Sequence, residues 1–258
     1  MSGLTIFGGR GELGRRYVET YYDQAIGNIA SVNKRDDYDA HTPDILYFIY
    51  DCRTQANLLP LVQVLENWRT QQSGGVFNYV STISVYGDAP SPAAEDAACT
   101  PNSHYGRTKW CEEQIVRAFC KAYRRDYRII RLAHVIGMKD SRRALASLIK
   151  RLHDGHDIEL WGDGEFFRDH IHVEDALRAI DLVATQGEHN TEYNVGTGKG
   201  WRYIDIIKVA AGSTYSRDKV KFVEKEAPTF YMDSTKLNNL GFKSKYLGHW
   251  LYFSESLT

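Results

Sequence analysis

The chain has 258 residues, 43% hydrophobic and 25% charged, with a formal net charge of −1. That length suits one large domain or two closely joined ones, and the near-zero charge gives no global case for a nucleic-acid or anionic-membrane partner, so any basic site must be local. No apolar run reaches membrane-spanning length, no basic lead or cleavage site precedes the strand-like run at Leu4, and Cys52, Cys99, Cys111 and Cys120 form no C-x-x-C pair; the expectation is a cytoplasmic protein with reduced thiols, no secretory leader and no membrane partner.

The first half alternates short apolar runs with helical patterns. LTIF (4–7) predicts a strand, followed by a glycine-rich turn and a helix to about residue 25. NIASV (28–32) predicts a second strand. DILYFIY (44–50) is almost continuously apolar, as a strand buried on both faces should be. The segment before it is short and leaves no room for a further helix and strand. QANLLPLVQVLENWRTQ (55–71) has a helical period, with Pro60 near its start or at a kink. VFNYVS (76–81) predicts a strand, 105–123 a long helix, and YRIIRLA (127–133) a further strand. Strand, helix and strand at these lengths imply right-handed βαβ units and a parallel sheet. The second half is less regular: a helix over about 143–153, strands at 158–162 and 168–173, a helix over 174–185 and a short strand at 193–197. The expected fold class is α/β, a Rossmann-type doubly wound parallel sheet with a small C-terminal α/β lobe. Ligands in such sheets bind at the carboxyl ends of the strands, so chemistry is sought just after them.

The stretch GGRGELG (8–14) lies between a predicted strand and a predicted helix. In that context Gly8 permits a tight turn, Gly11 admits a pyrophosphate and Gly14 lets helix and strand pack closely, while the helix N-terminus at Glu12 and Leu13 favours the anion. An acidic residue commonly ends the second strand of an NAD site; here the run is Asn33, Lys34, Arg35. Arg10, Lys34 and Arg35 together suit the 2′-phosphate of NADP(H), because a guanidinium fork holds two phosphate oxygens. Two other readings stand: Lys34 and Arg35 as a solvated charge cluster, and Asp36 or Asp37 in the ribose position, which would favour NAD(H).

Tyr105 and Lys109 form Y-x-x-x-K at the start of a helix, so they share one face. An ammonium near a phenol favours the phenolate, which makes Tyr105 a usable general acid/base at neutral pH. His170 and His172 alternate along a strand and read as structural hydrogen-bonders, with no metal-ligand spacing around them.

Six motifs in order carry a family resemblance: GGRGELG (8–14), STISVYG (81–87), YGRTK (105–109), RLAHVIG (131–137), LWGDGEFFRDHIHVEDA (160–176) and YNVGTG (193–198). Together they resemble the extended short-chain dehydrogenase/reductases, the NAD(P)-dependent nucleotide-sugar epimerases, dehydratases and ketoreductases. The glycine loop resembles that of GDP-fucose synthases, which carry an arginine at the same place and use NADP(H). The resemblance implies Tyr105 and Lys109 as the catalytic pair, Thr82 as the hydroxyl on the reacting sugar oxygen, Asn57 beside the cofactor, and Arg168 on the substrate diphosphate unless it pairs with Asp169 or Glu174. It implies Ser84 and His134 as substrate residues, His134 standing where asparagine is usual. It further implies that 1–133, joined by about 173–197, binds NADP(H), and that 134–172 and 198–258 form the substrate lobe. A homodimer is implied through the helices at 55–71 and 105–123, where Leu59, Val62, Trp110 and Phe119 fit an interface or a core equally well.

The departures narrow the chemistry. Ile83 and Ser84 replace the acidic pair of the dehydratases, which disfavours 4,6-dehydration. YDCR (50–53) replaces the usual small-residue run, and the loop around Pro228 is short with no evident second diphosphate-binding arginine. The expected function is NAD(P)-dependent oxidoreduction or epimerisation of a nucleotide-linked sugar, leaning to NADPH-dependent keto-sugar reduction. The alternatives are a 4-epimerase that retains NAD, a reductase of small carbonyl compounds, disfavoured by Arg168, and a non-catalytic NADP(H)-binding sensor, disfavoured by the retention of Thr82, Tyr105 and Lys109.

Overall fold

The computed structural model describes residues 4–9, 11–21, 29–32, 38–48, 58–138, 144–227 and 229–246. The first half follows the expected alternation: β1 (Leu4–Phe7), α1 (Glu12–Tyr21), β2 (Ile29–Val32), β3 (Asp44–Tyr47), α2 (Leu58–Gln71), β4 (Val76–Thr82), α3 (His104–Tyr123) and β5 (Asp126–Leu132). Pro60 sits in the first turn of α2, where its missing N–H would have no helical partner anyway. The second half comprises β6 (His134–Ile136), α4 (Ala144–His153), β7 (Ile158–Trp161), β8 (Phe167–Arg168), β9 (His170–His172), α5 (Val173–Gln186), β10 (Thr191–Val195), β11 (Trp201–Arg202), α6 (Tyr203–Ala211), β12 (Val220–Val223) and α7 (Thr235–Asn239).

Six strands form one sheet in the order β2-β1-β3-β4-β5-β10, and every neighbouring pair is parallel. Alternate residues feed two cores, as the two-residue period of a strand requires. Ile6, Leu46 and Ile130 pack on the side of α5, with Ala176, Leu177, Ile180 and Val183. Phe7, Ile45, Tyr47 and Ile129 pack on the other side against Leu61, Val64, Leu65 and Trp68 of α2 and Val116 and Cys120 of α3. From β1 the order runs outward to β2 on one side and to β3 on the other, so the switch point of this doubly wound sheet lies at the carboxyl ends of β1 and β3.

A third cluster joins α4, β7, α6 and β12 through Leu145, Ile149, Leu152, Ile158, Leu160, Ile204, Ile207 and Val220. Three short pairs stand outside the main sheet: β7 with β12, β8 with β11, and β6 with β9. The run expected as one strand over 168–173 is two, because Asp169 turns out of the ladder between β8 and β9. Among the described residues no helix is long and apolar enough to cross a membrane.

Candidate active site

The loop after β1 closes tightly. Gly8 takes a positive φ of 89°, and its carbonyl accepts from Gly11 N at 3.0 Å. A Cβ on Gly14 would stand 2.4 Å from Gly8 O and 3.1 Å from Gly9 Cα. The first turn of α1 is thus pressed against the loop, with Glu12 and Leu13 opening the helix; this compact backbone at a helix N-terminus fits a dinucleotide pyrophosphate. Arg10, Asn33, Lys34, Arg35 and Asn57, with the YDCR run and Pro228, lie outside the described residues.

Two strands along the sheet from β1, Thr82 ends β4 and is buried. Its hydroxyl caps the short turn that follows, accepting from Ser84 N at 3.3 Å. Helix α3 starts against that turn. Ser103 caps it by accepting from Gly106 N at 3.0 Å, and a Cβ on Gly106 would meet Ser84 O at 2.4 Å. Glycine at 106 is therefore what lets the helix start lie on the end of β4. Tyr105, half-buried, and Lys109, one turn on, rise from that start. Lys109 is only 2% exposed. Its Nζ lies 3.2 Å from Glu112 Oε2 and 4.2 Å from the centre of the Tyr79 ring. Burial pushes the Lys109 ammonium down from its usual range, while Glu112 and then Glu113 oppose the fall.

The third part of the site grows from the end of β5. Register pairs His134 with His170, whose rings stand 5.4 Å apart. His134 is exposed, whereas His170 is buried and held neutral, first by burial and then by His134. Two residues before His170, the Arg168 guanidinium lies 4.7 Å over the Phe166 ring, which stacks on Tyr203 at 4.8 Å. The two carboxylates weighed as partners of Arg168 make other contacts: Asp169 accepts from Thr197 N and Oγ1 at 3.0 and 2.8 Å, and Glu174 meets Arg16 at 3.4 Å. Burial raises the Asp169 carboxyl to about 6, against the Thr197 hydrogen bonds and the amides of Gly198 and Met232. His172 caps α5 through Nδ1 and stacks on Tyr246 at 4.4 Å. An open groove of ≈ 640 Å³ lies beside β8, lined by Phe167, Gly198, Lys199, Gly200, Trp201, Thr229 and Tyr231. Among the described residues no group of three or more His, Cys, Asp or Glu side chains gathers as metal ligands.

The structure thus gathers Thr82, Ser84, Tyr105 and Lys109 around the end of β4, and His134 and Arg168 around the β6–β9 corner. A buried polar network also emerges that the motifs did not reveal. Glu113 takes Arg131 Nη2 at 3.0 Å and Arg117 Nη2 at 3.1 Å, and Ser81 Oγ donates to it at 2.5 Å. Arg131 also donates to the Tyr86 hydroxyl at 2.9 Å, which in turn donates to Asn194 at 2.6 Å. This network clamps α3 to β4, β5 and β10. One signal was available: Lys109, Glu112 and Glu113 fall on the same stripe of α3 as buried Gly106, Val116 and Cys120. Charges on a core-facing stripe mark a network rather than a solvated face.

This parallel sheet, with its glycine loop and its Tyr and Lys pair on the helix after β4, defines an extended short-chain dehydrogenase/reductase. The chain belongs to the NAD dependent epimerase/dehydratase family, whose model matches residues 50–196. It is 30% identical over 189 residues to a dTDP-glucose 4,6-dehydratase of Streptomyces griseus, a match that takes in 70% of this chain and 57% of that protein's length. It is similar in fold to the UDP-glucose 4-epimerase of Thermotoga maritima, solved with UDP-glucose, at a TM-score of 0.83 and 22% identity, covering 99% of this chain and 100% of that one. It is likewise similar to the RMD protein of Pseudomonas aeruginosa complexed with NADPH, at a TM-score of 0.84 and 19% identity, covering 100% and 99% of the two chains.

Proposed function

We propose that this chain is an NAD(P)-dependent oxidoreductase or epimerase of a nucleotide-linked sugar, leaning to NADPH-dependent reduction of a keto-sugar nucleotide. The observation that carries this reading is the seating of α3: Gly106 lies against the Ser84 carbonyl, so the helix start bearing Tyr105 and Lys109 meets the strand end bearing Thr82. The glycine loop 8–14 would hold the dinucleotide pyrophosphate, Asn57 would lie beside the cofactor, and Arg10, Asn33, Lys34 and Arg35 would form the end that selects NADP(H). The bound dinucleotide supplies or accepts a hydride at the sugar carbon. Tyr105 gives or takes the proton at the oxygen of that carbon, and the Thr82 hydroxyl shares that oxygen. Lys109 favours the phenolate and holds the ribose of the dinucleotide. Arg168 would take the substrate diphosphate, with Ser84 and His134 on the same side. In this division 1–133 with about 173–197 binds the dinucleotide, and 134–172 with 198–258 binds the sugar nucleotide.

The lean to reduction rests on the cations, since a 2′-phosphate marks the reducing pool and a 4-epimerase has no use for it. Ile83 and Ser84 argue against dehydration. A cytoplasmic homodimer completes the reading. Its support is the start of α2, where Leu59 is 70% and Val62 41% exposed, whereas Trp110 and Phe119 of α3 pack against the cores.

The test is to purify the protein, identify any retained dinucleotide and supply 4-keto and 4-epimeric sugar nucleotides. Stoichiometric NADPH oxidation with a keto sugar is the expected outcome. Tyr105→Phe should lower turnover roughly 10²–10⁴-fold with dinucleotide affinity kept. Retained NAD with sugar interconversion and no net change in reduced nicotinamide would favour the epimerase. Full turnover by Tyr105→Phe would overturn the catalytic assignment.

A further inference from the structure

We propose that Glu112 is a positioning residue that keeps the Lys109 ammonium charged and fixed inside the protein. The inference rests on the role given above to Lys109 and adds what allows a buried lysine to fill it. An isolated ammonium in a dry interior sheds its proton, because the charged form loses its hydration. Lys109 is almost wholly enclosed, yet its assigned work requires the charge. Glu112, fully buried, stands three residues on along α3, on the same helix face, with Oε2 3.2 Å from Lys109 Nζ. The same oxygen accepts from the Tyr79 hydroxyl of β4. Tyr79 therefore touches both charges, its hydroxyl on the carboxylate and its ring face 4.2 Å from the ammonium. A cation on a ring face and a carboxylate on the hydroxyl of that ring leave the pair little freedom to rearrange. Tyr79 is itself held in a stack with Tyr47 of β3 at 5.9 Å.

The charged and titratable groups seen against the pair among the described residues fit this assignment. From α3 comes Glu113 beside the pair itself; from β4, Tyr79; from β3, Tyr47, whose hydroxyl feels the Glu112 charge. Glu113 is nearer in sequence to Glu112 than in duty: it holds Arg117 and, through Nε and Nη2, Arg131 of β5. Its charge is already matched. Among the described residues Glu112 makes no ion pair besides that with Lys109, and its Oε1 has no hydrogen-bond partner. The two charges thus compensate each other, and removing the Glu112 carboxylate takes away the counter-charge that stands 3.2 Å from the ammonium.

The experiment is an NMR titration of lysine Nζ in the full-length ¹⁵N-labelled protein, with the Lys109 signal assigned by Lys109→Arg. Glu112→Gln keeps the shape and can still accept from Tyr79 but lacks the charge; Glu112→Asp keeps the charge. The expected result is a fall of at least about one pH unit in the Lys109 titration of Glu112→Gln, a tenfold weaker hold on the proton, with Glu112→Asp closer to the unaltered protein. The alkaline limit of NADPH and NADH binding should fall in step. An unchanged Lys109 titration in folded Glu112→Gln overturns the proposal, whatever happens to binding. A lowered titration with an unchanged limit of dinucleotide binding supports the charge pairing and overturns instead the ribose-holding role of Lys109. Should Glu112→Gln fail to fold, the unaltered protein decides: an Nζ charged at neutral pH that titrates together with the Glu112 carboxyl supports the pairing, and an Nζ already neutral there overturns it.

Discussion

Gly14→Ala tests the dinucleotide loop with a single added methyl group. The intrinsic preference runs in favour of the change, since alanine in a helix is better than glycine by up to about 1 kcal/mol. The structure reverses it. The new Cβ would stand 2.4 Å from Gly8 O, 3.0 Å from Gly8 C and 3.1 Å from Gly9 Cα. All three are backbone atoms, so no side chain can swing away to make room. The loop itself must move, and the hydrogen bond from Gly11 N to Gly8 O at 3.0 Å moves with it. Overpacking of this kind costs about 1–3 kcal/mol, and a disturbed backbone hydrogen bond adds about 0.5–1.5 kcal/mol. Set against the helix preference, the net loss is about 1–3 kcal/mol, or roughly 2–12 °C in Tm for a chain of this size. The same movement displaces the amides assigned to the pyrophosphate, so dinucleotide affinity should fall about tenfold or more for a loss of about 1.4 kcal/mol. Thermal unfolding with and without dinucleotide, together with fluorescence titration of NADPH and NADH, reads both effects. Gly74→Ala is the control, because nothing lies within 4 Å of its added Cβ; it should be neutral or stabilising by about 0.4–1 kcal/mol. A Gly14→Ala protein as stable as its parent and with unaltered affinity would refute the close-approach argument.

The buried clamp on α3 predicts that Arg131→Met costs about 3–5 kcal/mol in chemical denaturation, because it strips the fully buried Glu113 of its principal cation; a loss below about 1 kcal/mol would mean that Arg117 and Ser81 suffice. Asp169 predicts a pH dependence. Its carboxyl titrates at about 6 in the fold against 3.8 when free. The raised value means that protonation favours the folded state, so this contribution is full below about 4 and is lost as pH rises through about 6. Stability relative to Asp169→Asn should therefore fall across that window, and a flat difference would show that the carboxyl is not shifted. For the homodimer, Leu59→Glu should give a monomer in sedimentation velocity; a monomeric unaltered protein would end that proposal.

Much of the fold was legible because its signals are local. LTIF, DILYFIY and YRIIRLA carry enough apolar and β-branched side chains to specify strands buried on both faces, whatever surrounds them. The spacing of Gly8, Gly11 and Gly14 between a strand and a helix announces its own close packing, and Tyr105 with Lys109 needs only the helical period to share a face. Elements without such local support escaped the reading. Helix α6 begins at Tyr203 with no side-chain cap, and α7 is a single turn whose Ser234 makes no capping bond. Both stand because their apolar faces are covered, Ile204 and Ile207 by the α4–β7 cluster and Leu237 by the main core. The pairing of Val220 with Ile158 joins strands 62 residues apart, and no pattern within either names the other. The site shows the same boundary. The sequence alone determined which residue types stand at the strand ends and at the start of α3. Only the tertiary structure decided that the Lys109–Glu112 pair, already neighbours on α3, would be buried against Tyr79 of β4, and that Glu113 would be claimed by Arg131 of β5. A charge enters a core only where partners from other elements meet it, and those partners come together only once the chain has folded.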